Sequence, residues 1–96
     1  MRQTYVVSYD ISDPKRLRKV YRLMRGYGEW VQLSVFRCEL TPTELLELRG
    51  RLAHTIHHGE DQVLFVDVGP ADGRSSGAFR ALGRPYSASV RQAIIV

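Results

Sequence analysis

Asp10 is the residue whose surroundings explain it least. It closes the run Tyr5-Val6-Val7-Ser8-Tyr9, which is β-branched and aromatic with little alternation, as in a strand covered on both faces. An aspartate at the end of a strand commonly caps the next helix, but Asp13, followed by Pro14, already has that task. A carboxylate buried without a partner is costly, so Asp10 should meet a cation, a donor or water. From these residues alone two readings stand open: a site carboxylate able to hold a hard divalent cation, and a redundant second cap.

Lys15, Arg16, Arg18, Lys19, Arg22 and Arg25 follow with no acidic residue among them. Such a run is commonly a solvated helix face. Six like charges on one helix repel one another, however, and phosphates would relieve that repulsion while releasing counterions. The charge is also local. Residues 1–27 hold seven Lys and Arg against two Asp, a net +5, while the other 69 residues carry −1 of the overall +4. Lys15, Arg16, Arg18, Lys19 and Arg22 are therefore the candidate contacts to a nucleic-acid backbone.

Other chemistry finds less support. His54, His57 and His58 are spaced so that a helical face can hold a metal, but no carboxylate pair stands nearby to complete the set. They read as helix-end residues favoured by the dipole. Cys38 is the one cysteine, which excludes an intrachain disulfide and a cysteine-based zinc cluster, and it reads as a small buried strand residue. Asp67 lies within a strand and receives no role. A glycine-rich phosphate loop and a nucleophile elbow are both missing from the chain.

The elements that must position these groups follow from pattern. Leu17, Val20, Tyr21, Met24 and Tyr27 recur at helical spacing behind Asp13-Pro14, and Gly26 or Gly28 is expected to end that helix in the left-handed conformation. Residues 29–40 are strand-like, with a turn near Gln32-Leu33-Ser34 able to split them. Thr41-Pro42-Thr43-Glu44 predicts a capping box, and Leu45, Leu48, Leu52 and Ile56 the buried face of the second helix. Residues 62–68 form another strand closed by Gly69-Pro70.

The order strand, helix, two strands, helix, strand is a ferredoxin-like α+β sandwich within a single domain, 1–96. Residues 1–68 are the core, 69–85 a flexible loop and 86–96 a terminal segment ending on the apolar run Ala93-Ile94-Ile95-Val96. The second face of the sheet would stay uncovered although its strands are apolar on both sides. Two copies stacking their sheets and exchanging terminal strands would resolve both problems, so a homodimer is expected. No apolar run is long enough for a membrane span and the start lacks signal-peptide character, so the expectation is a cytoplasmic protein without a membrane partner.

Two stretches carry a family likeness: Tyr9-Asp10-Ile11-Ser12-Asp13 with Arg16 and Lys19 following, and Val31-Gln32-Leu33-Ser34-Val35-Phe36-Arg37-Cys38-Glu39-Leu40. In order and spacing the chain resembles, over about residues 1–68, the small CRISPR-associated protein that partners the integrase in acquiring new spacers. The resemblance implies a ferredoxin-like homodimer whose terminal strands cross to the neighbouring subunit. It implies that Asp10 holds magnesium, or manganese in its place, and is the catalytic residue of an endonuclease. It further implies the CRISPR integrase at the ends of the dimer, duplex DNA lying across it, and single-stranded RNA as a further substrate. Two alternatives remain beside this reading. One is a non-catalytic dimeric scaffold bridging integrase subunits on DNA. The other is a ferredoxin-like regulatory module for a small ligand, against which the basic stripe argues.

Overall fold

Proline at the first helical position and a side-chain cap on the residue before it start both helices of the computed structural model, which describes residues 1–72 and 77–86. The elements run β1 (Gln3–Asp10), α1 (Pro14–Arg25), β2 (Gly28–Gln32), β3 (Val35–Leu40), α2 (Pro42–Thr55) and β4 (Gln62–Pro70). Asp13 accepts from the Arg16 amide at 2.9 Å. At α2 the box is reciprocal: the Glu44 amide donates to Thr41 Oγ1 at 3.1 Å, and the Thr41 amide to Glu44 Oε1 at 2.9 Å.

The four strands form one antiparallel sheet in the order β2-β3-β1-β4, the ferredoxin-like arrangement expected from the element order. Val7 stands opposite Phe36 on one side and Phe65 on the other, so β3, β1 and β4 align these apolar residues on one face. That face meets the helices. Val7, Phe36 and Cys38 from the sheet pack with Val20 and Met24 of α1 and Leu48 of α2, all fully buried. Phe36 lies at the centre, stacked on Tyr9 at 6.2 Å between centroids and edge-on to Tyr21 at 5.7 Å. Truncating it to alanine would cost roughly 3–5 kcal/mol.

The opposite face carries Val6 and Ser8 from β1 and Leu64, Val66 and Val68 from β4, the last three well exposed. The stretch 69–85, expected to be loop, begins differently. β4 continues to Pro70, and further along Phe79 lies 5.7 Å from the Arg37 guanidinium, with Tyr86 beside it at 6.1 Å. The exchanged terminal strand expected at Ile94–Val96 lies outside the described residues.

One local expectation is corrected. α1 does not end in a left-handed glycine: Gly26 has φ −77°, and the last turn tightens instead, with the Gly26 amide donating to Leu23 O at 3.1 Å and Tyr27 to Met24 O at 2.9 Å. Gly28 serves a different need, since β2 runs so close to β3 that a Cβ there would lie inside the contact distance of Cys38 Sγ and 2.5 Å from Arg37 O. Among the described residues the non-glycine position with a left-handed φ is Leu33, at 44°, in the two-residue loop between Gln32 and its partner Val35.

Candidate functional site

Asp10 ends β1 opposite Gln62, with its side chain exposed on the far side of the strand from Tyr9. Among the described residues its carboxylate has no ion pair and no hydrogen bond. Solvent meets its solvation need, so the cap reading of the sequence falls away: Asp13 alone holds the helix start.

Asp61 is the carboxylate that sequence reasoning passed over. It sits between α2 and β4 with its side chain fully withdrawn from solvent, and it gathers partners from three segments. Arg16 Nε donates at 2.8 Å, the Ser12 amide at 3.0 Å, Ser12 Oγ at 3.1 Å and the His57 amide at 2.8 Å. Arg16 foremost, then the His57 and Ser12 amides, hold this carboxyl well below the usual carboxylate range. Glu60 adds a 3.4 Å contact to the same guanidinium. Asp61 thus ties the β1–α1 connection to the α2–β4 connection. Its charge is spent on Arg16, leaving Asp10 as the carboxylate of this end of the sheet that is free to meet an external cation.

Arg16 therefore differs from the other cations of α1. It turns toward Asp61 with 24% of its side chain exposed, whereas Lys15, Arg18, Lys19, Arg22 and Arg25 are exposed and form no ion pair among the described residues. Arg18, Arg22 and Arg25 follow one another along a single edge of the helix, and the last two sit in its final turn, where the dipole favours positive charge. This edge is a row of uncompensated cations.

For a divalent metal, the donor set in one chain is small. Among the described residues there is no cluster of three or more His, Cys, Asp or Glu side chains. The histidines do not assemble: His58 bonds Ala53 O at 2.8 Å and His57 Nδ1 accepts from the Gly59 amide at 3.2 Å, both finishing α2 as helix-end residues do. One exposed carboxylate fits a hard cation that keeps most of its water, and Asp10 from a second copy would double the set.

A cavity of about 790 Å³ opens on the helix side, between α1 and the β2–β3 hairpin. Tyr9, Tyr21 and Trp30 give it aromatic walls and Arg18, Arg22 and Arg25 stand along it. Periodicity alone assigns Tyr21 to the core and Trp30 to a strand, so no sequence signal marked this cavity. Burial, with the Tyr21 phenol beside it, pushes the Tyr9 hydroxyl up to about 12. Burial likewise pushes the Cys38 thiol up to about 12, leaving it a packing residue. No helix among the described residues is long and apolar enough to cross a membrane.

Comparison with known proteins gives one consistent result. The family model described as CRISPR associated protein Cas2 matches residues 3–74. The chain is 45% identical over 92 residues to the CRISPR-associated endoribonuclease Cas2 1 of Rhodospirillum rubrum, covering 96% of this chain and 89% of that protein. It is 36% identical over 96 residues to the CRISPR-associated endoribonuclease Cas2 of Geobacter sulfurreducens, covering the whole of both chains. Among solved structures, a hypothetical protein from Thermus thermophilus, TT1823, superposes with a TM-score of 0.76 at 34% identity, over 88% of this chain and 95% of that one.

Proposed function

Because this chain belongs to the Cas2 family of spacer-acquisition proteins, we propose that it is a metal-dependent endonuclease of CRISPR adaptation in which Asp10 is the catalytic carboxylate. The observation that carries this reading is the contrast at the end of β1: Asp61 is neutralised by Arg16, while Asp10 is exposed and unpaired. Its relatives' names as endoribonucleases support phosphodiester cleavage as the reaction.

Asp10 would hold magnesium, or manganese in its place, and with Asp10 of a second copy would supply one or two carboxylates. Such a cation, when bound, offsets charge on a phosphate and makes a water more acidic. The protein's own part is to hold Asp10 in place: β1 fixes its backbone against Gln62, and Asp61 fastens the connection that follows. Lys15, Arg18, Lys19 and Arg22 hold the phosphate backbone by charge, and Arg16 acts on them indirectly by fixing the start of α1. The exposed Leu64, Val66 and Val68 favour a homodimer stacked through the open face of the sheet. Duplex DNA and the CRISPR integrase are the partners proposed for that dimer, in the cytoplasm.

The test is cleavage of labelled single-stranded RNA and duplex DNA by the full chain in magnesium, manganese and chelator. Cleavage is expected to need the metal and to fall about 100-fold or more in Asp10→Asn. No cleavage by the parent in any metal, with spacer integration supported by Asp10→Asn, would replace the enzyme by the scaffold.

A further inference from the structure

The tip of the β2–β3 hairpin carries a strained residue that faces water. The loop has two residues, Leu33 and Ser34, between Gln32 and its partner Val35, and Leu33 stands first in it with φ 44°. A positive φ at that position favours glycine, because a Cβ there crowds the neighbouring carbonyl. Leucine takes this strain and yet buries little, being 80% exposed. The loop is also fixed: Trp30 Nε1 donates to Leu33 O at 2.8 Å and the Tyr9 amide to Ser34 O at 3.0 Å, so both loop carbonyls are tied back. A single exposed leucine is ordinary on a surface. One held out on a fixed tip, at a backbone angle that costs stability, is not, and strain of this kind gathers at sites that bind or react.

What stands beside Leu33 gives the chemistry of its partner. It lines the opening between α1 and the hairpin together with Arg18, Arg22 and Arg25. Those three are exposed, form no ion pair among the described residues, and follow at i, i+4 and i+7 along one edge of α1. At about 1.5 Å of rise per residue the row spans roughly 10 Å, which at about 3.4 Å per phosphate is the reach of some three phosphates of one strand. An apolar protein surface seated on Leu33 would bury those cations unpaired, whereas a nucleic acid offers phosphates to the row and a base face to the leucine. We propose that Leu33 is a wedge: it enters a base step of the strand whose phosphates lie on Arg18, Arg22 and Arg25, and unstacks that step. Leucine is among the apolar side chains suited to this. Opening a step costs least where pairing is already weak, so the wedge makes the protein favour a mismatched step over a perfect duplex. The inference rests on the proposed binding of nucleic acid and needs no cleavage.

The full chain is titrated in chelator, so that no strand is cut, with a perfect duplex and with the same duplex carrying one central mismatch. Beside the mismatch sits a fluorescent adenine analogue whose emission rises when it unstacks. The parent is expected to raise that emission and to favour the mismatched duplex by about 10-fold. Leu33→Asn, which tolerates the left-handed angle but removes the apolar reach, is expected to lower the preference to about 2-fold or less and to abolish the rise. Its salt slope should match the parent's, because no charge is lost. A melting temperature at or above the parent's excludes unfolding as the cause. Leu33→Met keeps the apolar reach and is expected to retain both signals. Salt-dependent binding with the same preference and the same emission in the parent and Leu33→Asn would overturn the wedge and leave Leu33 to a protein partner, while the nucleic-acid reading stands. Absence of salt-dependent binding by the parent would overturn both.

Discussion

The two flanks of α1 carry the same residue type and use it in opposite ways. On one flank Arg16 is fully engaged, with Asp61, Glu60 and Ser12 around its guanidinium. On the other, Arg18, Arg22 and Arg25 have no ion-pair partner among the described residues and border the cavity between α1 and the β2–β3 hairpin. A satisfied cluster is part of the scaffold. An unsatisfied one keeps the mutual repulsion of its cations, which the phosphates of the proposed partner would relieve. The difference separates the basic helix into a strut and the edge proposed to bind nucleic acid, which its charge count alone does not.

The sharpest way to break this comparison is to remove each flank separately. Replacing Arg18, Arg22 and Arg25 together with alanine should lower nucleic-acid affinity about 100-fold and flatten the logarithmic salt slope by about 2–3, with the melting temperature nearly unchanged. Equal loss of affinity in Arg16→Ala without a loss of stability would erase the distinction. Asp61→Ala should do the reverse, lowering the melting temperature by roughly 5 °C or more in calorimetry, because it strips partners from Arg16, Ser12 and His57 at once.

The pH dependence sharpens the same contrast. Asp61 has its pKa lowered on folding, so its contribution is complete above the ordinary value of 3.8 and is lost as pH falls below it toward the folded value. Asp13, held down by the Arg16 amide, and Glu44, by the Thr41 amide, act in the same direction. Acid unfolding should therefore set in below about pH 4, and Asp61→Asn should flatten that limb in a pH series of thermal melts. At the alkaline end, Tyr9 and Cys38 have pKa values raised by burial from 10.0 and 9.0 to about 12, so stability should be complete below pH 9 and decline from there to about pH 12. The smallest effect is expected at Leu33, whose φ of 44° disfavours a branched side chain. Leu33→Gly should raise the melting temperature by about 2–5 °C.

What was legible in the sequence is what is local. Asp13-Pro14 and the Thr41–Glu44 box were readable because cap and partner lie three residues apart. The strand order followed from element order, and the break at Gln32-Leu33-Ser34 from the interruption of an apolar run. Asp61 was invisible because Arg16 lies 45 residues away and nothing in His57-His58-Gly59-Glu60-Asp61 announces a buried carboxylate. The cavity was hidden for a related reason: periodicity assigns Tyr21 to a helix and Trp30 to a strand without saying that both line one opening. The end of α1 was misread because a glycine usually signals the left-handed conformation, while here Gly28 answers the close approach of β3. At Asp10 the residues left two readings open, a site carboxylate and a second cap, and its exposed carboxylate without a helix-start bond removes the cap.

The central claim, that the two carboxylates at the end of β1 divide chemistry from architecture, is tested most directly by measuring cleavage rate and melting temperature on the same preparations of Asp10→Asn and Asp61→Asn. The expected result is a parent-like melting temperature, within about 2 °C, with cleavage reduced about 100-fold or more in Asp10→Asn, and a lowered melting temperature with cleavage retained in the folded fraction of Asp61→Asn. Full-rate cleavage by Asp10→Asn, or abolished cleavage by a fully folded Asp61→Asn, would contradict it.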